Sequence, residues 1–426
     1  MSSRDPSSGA SPVWHPFTQH ALQPDVVEVA SADGVWLKTA DGRRILDGIS
    51  SWWVITHGHR HPRITDAIRN EAARLDQVIF AGFTHAPAEA LARALLKIVP
   101  DNLARVFYSD SGSTAVEVGL KMALGYWRNL DKPRTRILAL EHGYHGDTIG
   151  GMSVGARGVF NAAYAPLLFE VGRIPFPGAG SEAAALEALE SACRKGDVAA
   201  LILEPLILGA GGMLTYPPQA LAAIAEACER HGVLLIADEV MTGWGRTGSL
   251  FACEQAGVKP DILCLAKGLT GGALPLAVTL CSEQIFQAHF AIDRSKTFFH
   301  SSSFTANPIA CAAALANLQV WQDEPVLERI AVLAENQKAQ LASLGADTRF
   351  ANPRQIGTIA AVDLSVRDAG YLAEIGQRFY RFAIDRSVLL RPLGNTIYIM
   401  PPYCISADEL AYVYEVIRAA PDNLGV

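Results

Sequence analysis

What this 426-residue chain has little of already narrows what it can do. Only 19% of its residues are charged, and the 43 acidic side chains outnumber the 36 Lys and Arg, for a formal charge of −7. No basic run interrupts that balance, so nucleic acid is not an expected partner, because phosphate backbones are gripped by clustered Lys and Arg. No apolar stretch is long enough to cross a bilayer, so a membrane partner is not expected either. Cysteine is sparse and lacks pattern: there are seven, an odd number, scattered from Cys193 to Cys404 with no C-x-x-C pair. That usage suits a reducing compartment, so disulfides and a zinc site are not expected and the chain reads as cytoplasmic. The first dozen residues, MSSRDPSSGASP, lack the apolar centre of a signal peptide and read as a frayed start. Internal repeats and low-complexity blocks are absent too. Half the residues are hydrophobic, ample for a large and a small domain with cores of their own.

What is present is a steady alternation. Residues 26–46 have a short β-like pattern with Asp-Gly turns at 33–34 and 41–42, and 63–75 and 86–99 have helical spacing. Strand-like runs follow at 105–109, 137–140, 199–204, 233–238, 262–266 and 277–281, with helical runs at 113–127, 218–230 and 308–322. This rhythm predicts an α/β fold with a mostly parallel sheet covered on both faces. Beyond 322 a long helix at 326–344 leads into a smaller α/β unit. The expected division is an N-terminal segment at 1–65, a large domain at 66–315 and a small domain at 316–426.

Candidate chemistry gathers where the runs end. Five apolar residues, Val233 to Ala237, stop at Asp238 and Glu239, and the run 261–265 delivers Lys267 into a glycine-rich turn. An acid and a lysine at the ends of neighbouring strands suit pyridoxal 5'-phosphate. The lysine condenses with the aldehyde, and the carboxylate keeps the pyridine nitrogen protonated so that the ring withdraws electrons. A buried strand with an edge carboxylate and an unrelated surface lysine would produce the same letters. Asp-Ser-Gly-Ser at 110–113 directly follows a strand and opens a helix. Gly112 and Ser113 there offer free N–H groups, a hydroxyl and a positive helix end to a phosphate, or else the motif is an ordinary N-cap. In HGYHGD at 142–147, Tyr144 suits a ring lying flat on a pyridine, against a plain polar turn. Glu204 ends a third apolar run. Ligands of open parallel sheets bind beyond the carboxyl ends of strands, so Gly112, Ser113, Glu204, Asp238 and Lys267 are expected to converge.

Other features carry less. His57, His59 and His61 alternate in THGHRHP, but no carboxylate or cysteine stands at ligand spacing and Pro62 suggests a loop, so no metal is expected. Trp52 and Trp53 are either core or apolar substrate walls. Arg391 lies between an apolar run and a turn, with Tyr398 on the run that follows. It is either half of a surface ion pair or a bidentate grip on a substrate carboxylate.

With these residues placed, the stretch LLIADEVMTGWGRTGSLFACE and the later PDILCLAKGLTGG resemble the signature of class III pyridoxal phosphate aminotransferases, and the likeness runs over nearly the whole chain. WHPFTQH (14–20), DGISSWWVITHGHRHP (47–62), SDSGSTAVEVGLKMALGYW (109–127) and RPLGNTIYIMPPY (391–403) resemble the branch that aminates 8-amino-7-oxononanoate in biotin synthesis. The resemblance implies fold type I, with a seven-stranded, mostly parallel sheet in the large domain and a smaller domain built from both chain ends. It implies that Lys267 holds the cofactor, Asp238 its ring nitrogen, and Gly112 with Ser113 its phosphate, while Tyr144 stacks on the ring beside Glu204. Phe17, Trp52, Tyr144, Arg246, Ser301, Arg391 and Tyr398 would then shape the substrate pocket, with Arg391 on the carboxylate and S-adenosylmethionine as amino donor. The family is dimeric, and Ser301, Ser302 and Ser303 stand where a partner-subunit segment, often Gly-Pro-Thr, completes each phosphate site. Phe17 replaces a tyrosine of many relatives, so a hydroxyl aimed at the substrate amine is missing. Three rival readings remain: a class III enzyme for ω-amino acids or amines with pyruvate or 2-oxoglutarate, an aminomutase, and a silent binding homologue. The intact Lys267, Asp238, Gly112 and Ser113 speak against the last.

Overall fold

A computed structural model describes residues 11–23 and 26–426, so most of the start expected to fray, residues 1–10, lies outside the described range. The large sheet has seven strands, in spatial order Leu103–Ser109, Ala277–Ser282, Ile262–Leu265, Leu234–Asp238, Val198–Leu203, Arg136–Leu140 and Gly172–Ile174. Every pairing is parallel except the two made by Ala277–Ser282. The inner strands are apolar on both faces because both faces are covered. Leu235 and Ala237 pack into one core with helices Ala86–Leu95 and Pro218–His231, while Leu234 and Ile236 pack into another against helix Gly112–Asn129.

The small domain has an antiparallel sheet of Phe350–Ile356, Ile359–Leu364 and Thr396–Ile399, with helices Val326–Gly345, Glu374–Asp385 and Ala407–Leu424. The start of the chain joins it. Strands Val29–Asp33, Trp36–Thr39 and Arg44–Asp47 form a sheet that Val388–Leu389 extends in parallel, and Leu46, Ile49 and Trp53 share a core with Tyr398 and Met400.

Both expected domain boundaries fall inside helices. Position 316 lies within Pro308–Asp323, where Leu318 belongs to the large core and Val320 to the small one. Position 65 lies within Pro62–Ala72, whose Ile64 packs on Ala313 and Ala316. A helix that serves two cores shows no break in composition where its allegiance changes. The histidines of THGHRHP take separate partners: His57 Nε2 lies 2.9 Å from Asn317 Oδ1, His59 Nε2 2.8 Å from Asp47 Oδ2, and His61 Nε2 3.0 Å from Glu324 Oε1. Among the described residues no group of three or more potential ligands could hold a metal ion, and no helix is long and apolar enough to cross a membrane.

Candidate active site

Strands that run parallel also end together. Glu204 follows Val198–Leu203, Asp238 closes Leu234–Asp238, and Lys267 follows Ile262–Leu265, all at one edge of the sheet. These three residues, with Gly112, Ser113 and Tyr144, line a cavity of about 370 Å³. Ser111 is the N-cap of helix Gly112–Asn129, and Ser111 and Thr114 cap each other reciprocally. That arrangement leaves the N–H groups of Gly112 and Ser113 without an acceptor among the described residues, at the positive end of an 18-residue helix. Gly146, at φ +104°, crosses so close that a Cβ would overlap the Ser113 hydroxyl, so a glycine keeps this end of the cavity open.

The remaining groups are held for a purpose. Asp238 Oδ2 lies 2.7 Å from His145 Nδ1 and Oδ1 accepts from Val240 N at 3.1 Å, while His145 Nε2 is buried without a partner. Lys267 sits in the left-handed region at φ +42°, and its side chain makes no hydrogen bond among the described residues; its Nζ is 5.3 Å from the centroid of the Trp53 ring. Burial pushes its pKa down, against the pull of Asp238 and Glu204, which favours a larger fraction of free amine. Pyridoxal phosphate fits this donor set. Gly112 and Ser113 suit its phosphate, Asp238 backed by His145 suits its ring nitrogen, Tyr144 suits its ring face, and Lys267 suits its aldehyde.

A second cavity, of about 280 Å³, shares Trp53, Tyr144 and Lys267 with the first. Its wall depends on an unusual turn: Ser50, Ser51, Trp52 and Trp53 all have positive φ. Left-handed backbone costs roughly 1–2 kcal/mol per non-glycine residue, so something must hold it. Asp47 Oδ1 accepts from Ser51 N at 2.9 Å, Asp47 Oδ2 accepts from Ser51 Oγ at 2.7 Å, and Ser50 Oγ donates to Met400 O at 2.8 Å. The turn carries Trp52 into the second cavity, edge-on to Phe17 at 5.4 Å. Arg391 enters beside them; its guanidinium lies 5.0 Å over the Trp52 ring, and Nη2 donates to Phe17 O at 2.8 Å. Tyr398 is buried edge-on to Trp53 at 5.9 Å.

Not every expected residue faces these cavities. Glu204 lines the first, but Oε1 accepts from Tyr144 N and Oε2 from Gly209 N, both at 2.9 Å, so it holds the Tyr144 loop in place. Burial pushes its pKa up to about 7 despite those bonds. Arg246, expected in the substrate pocket, lines neither cavity. It is 1% exposed, donates to Pro401 O and Ile55 O at 3.0 and 2.8 Å, and lies 5.0 Å over the Tyr403 ring, tying the large domain to the small one. Ser301, Ser302 and Ser303 also line neither cavity of their own chain; Ser302 Oγ donates to Asp110, which does line the first. The sequence reading missed His145, Asp147, Phe160 and Tyr371. His145 and Asp147 flank the expected Tyr144 in one loop and carried that much signal; Phe160 and Tyr371 lie in irregular segments and carried none.

The family described as aminotransferase class-III matches residues 18–420. An adenosylmethionine-8-amino-7-oxononanoate aminotransferase of Synechococcus elongatus is 50% identical over 97% of this chain and 99% of its own. The crystal structure of the protein of that name from Methanocaldococcus jannaschii superposes with a TM-score of 0.92 at 34% identity, covering 97% of each chain. An amine transaminase from an uncultivated Pseudomonas species, solved with PLP bound, reaches 0.91 at 34% identity, covering 97% of this chain and 99% of that one.

Proposed function

The chain belongs to the class III aminotransferases, and from that premise we propose that it transfers an amino group to 8-amino-7-oxononanoate, giving 7,8-diaminononanoate, with S-adenosylmethionine as donor. Pyridoxal phosphate, the cofactor of the class, supplies when bound an aldehyde for the donor amine and a protonated ring that draws electrons from the adjacent bond. The observation that carries the reading is the shared cavity of Lys267 and Arg391, walled by Phe17, Trp52, Phe160 and Tyr398. Such a cavity suits a substrate with a carboxylate at one end, an alkyl chain between, and the reacting carbon at the other. The 50% identity with the Synechococcus elongatus enzyme supports it over the amine transaminase reading.

Each residue has a task. Lys267, whose free-amine form burial favours, would hold the cofactor's aldehyde and is the group placed to take and return a proton at the substrate carbon. Asp238 would hold the pyridine nitrogen, and His145, 2.7 Å away, orients that carboxylate. Tyr144 and Trp53, shared by both cavities, exclude water around the reacting atoms. The apolar walls tolerate either substrate in turn, so both half-reactions use one site.

A homodimer with shared sites and a cytoplasmic location belong to the same proposal. The segment that bears Ser301, Ser302 and Ser303 is flanked by exposed Phe299 (70%) and Phe304 (61%), and Gln77 Nε2 donates to Ser303 O beside exposed Ile79 and Phe83. That apolar surface suits a second copy of the chain, whose serines would reach the neighbouring phosphate site. The cysteines, six of them buried, are all free.

The test is a pair of half-reactions followed by visible absorbance. S-adenosylmethionine should bleach the yellow holoenzyme, and 8-amino-7-oxononanoate should restore the colour. Recovery with pyruvate alone would move the enzyme to the amine transaminases; turnover of one substrate without a second would make it an aminomutase.

A further inference from the structure

Arg391 is a cation in an apolar cavity, and its immediate surroundings offer a substrate little else to bind. Phe17 contributes only a backbone carbonyl, already taken by Arg391 Nη2, and Trp52 offers a ring face; Pro392 and Leu393 are apolar. Arg391 has no carboxylate within ion-pair distance among the described residues. Of the cavity's polar side chains without a role so far, Asp147 and Tyr371, only Tyr371 offers a donor to a carboxylate; it is half-buried in the irregular segment between strand Ile359–Leu364 and helix Glu374–Asp385. It lines the same cavity, and its ring stands edge-on to Phe160 at 4.4 Å. The Arg391 guanidinium is close enough to oppose the upward push of burial on the Tyr371 hydroxyl.

The two residues are also built as one unit. Asn395 Oδ1 accepts from Gly370 N at 3.2 Å, and Gly394, at φ +65°, meets Gly370 so closely that a Cβ would overlap the Gly370 carbonyl. The turn that carries Arg391 is therefore packed backbone to backbone on the loop that carries Tyr371.

We propose that Tyr371 is a substrate-binding residue whose hydroxyl joins the Arg391 guanidinium in gripping the substrate carboxylate, while its ring closes the cavity mouth against Phe160. This rests on the functional reading above only for the identity of the substrate; the carboxylate grip itself is testable with a simpler ligand. A hydroxyl donating to a carboxylate is a charge-assisted hydrogen bond, and its loss beside an intact arginine weakens binding by about tenfold.

The experiment titrates cofactor-loaded wild-type enzyme and Tyr371→Phe with heptanoate and with heptanamide by calorimetry, after equal cofactor absorbance has shown both to be intact. Heptanoate should bind Tyr371→Phe about tenfold more weakly, and heptanamide should bind both enzymes within about threefold. In turnover the same variant should raise KM for the oxo acceptor rather than lower kcat. Tyr371→Leu, which removes the ring as well, should weaken both ligands. Equal heptanoate affinity in wild type and Tyr371→Phe overturns the proposal, as does an equal loss for heptanamide, or wild type failing to bind heptanoate. If heptanoate discriminates the two enzymes but 8-amino-7-oxononanoate is not aminated, the carboxylate grip stands and the substrate assignment falls.

Discussion

The two adjoining cavities are made in different ways. Around the first, Gly112, Ser113, Asp238 and Lys267 sit at strand ends or at the start of the helix that follows, on a sheet whose geometry leaves them one place to go. Their supports are buried: Asp238 and Glu204 are each 4% exposed and fully engaged by neighbours. Around the second, Phe17, Trp52, Phe160, Tyr371 and Arg391 come from five separate segments, and Phe17 and Trp52 are 41% and 39% exposed. The contrast divides the labour of a site that must handle two substrates. On the proposed function, the sheet edge would serve the chemistry common to both half-reactions, and aromatic walls from distant segments would read the substrates.

That division breaks if the wrong side controls the chemistry. Lys267→Ala should have the largest effect, lowering kcat by about 10⁴-fold or more, because one amine both anchors the cofactor and moves the proton. Single-turnover bleaching with the donor amine measures it, and a wild-type rate would remove Lys267 from the mechanism. Asp238→Asn should come next, at roughly 10²–10³-fold in the same assay, since a neutral amide no longer holds positive charge on the ring nitrogen.

On the other side the effects should fall on binding. Arg391→Leu should raise KM for the oxo acceptor by roughly 10–100-fold, the value of a charge-assisted hydrogen bond, with cofactor absorbance unchanged. Loss of cofactor absorbance in this variant would mean that the two cavities are not separable. Phe17→Tyr is a smaller perturbation; it restores a hydroxyl beside Trp52 and should shift KM for the donor more than for the acceptor, by a few-fold.

The smallest effect sharpens the comparison from outside both cavities. Burial pushes the pKa of His57 from 6.5 down to about 3, with His61 adding to the effect, so the folded protein holds this imidazole neutral. Its stabilising contribution is therefore present above pH 6.5 and is lost as pH falls toward 3, because the unfolded chain takes up the proton first. Urea midpoints should fall across that window, and in His57→Gln the slope should be shallower by at most about 1.4 kcal/mol per pH unit. An unchanged slope would show that other groups control acid unfolding.

Legibility followed the same division. Asp238 and Lys267 could be read from single apolar runs that stop at a charged residue, because a strand buried on both faces must be apolar and its end must face a site. Gly112 and Ser113 needed only a strand followed by a helix start. The histidine behind Asp238 was hidden in a loop whose other residues looked just as suitable, since pairing an acid with an imidazole 93 positions away is a tertiary event. Arg246 is the opposite case: its motif is informative, but only the tertiary structure shows its guanidinium donating to the carbonyls of Pro401 and Ile55. The expected boundaries at 65 and 316 fall inside helices Pro62–Ala72 and Pro308–Asp323, and the second of these passes from the large core to the small one without a change in composition.

The amino-acid order alone determined the α/β alternation, the apolar strands, the edge of the sheet where the chemistry gathers, and the class of cofactor that edge suits. These are local properties, set by periodicity of 2 or 3.6 and by which residue ends a run. The tertiary structure decided which acid is backed by an imidazole, which arginine lines the second cavity, and that Tyr371 lines it too. Those outcomes depend on contacts between segments tens to hundreds of residues apart, and the side chains that make them are read only once packing has chosen their neighbours.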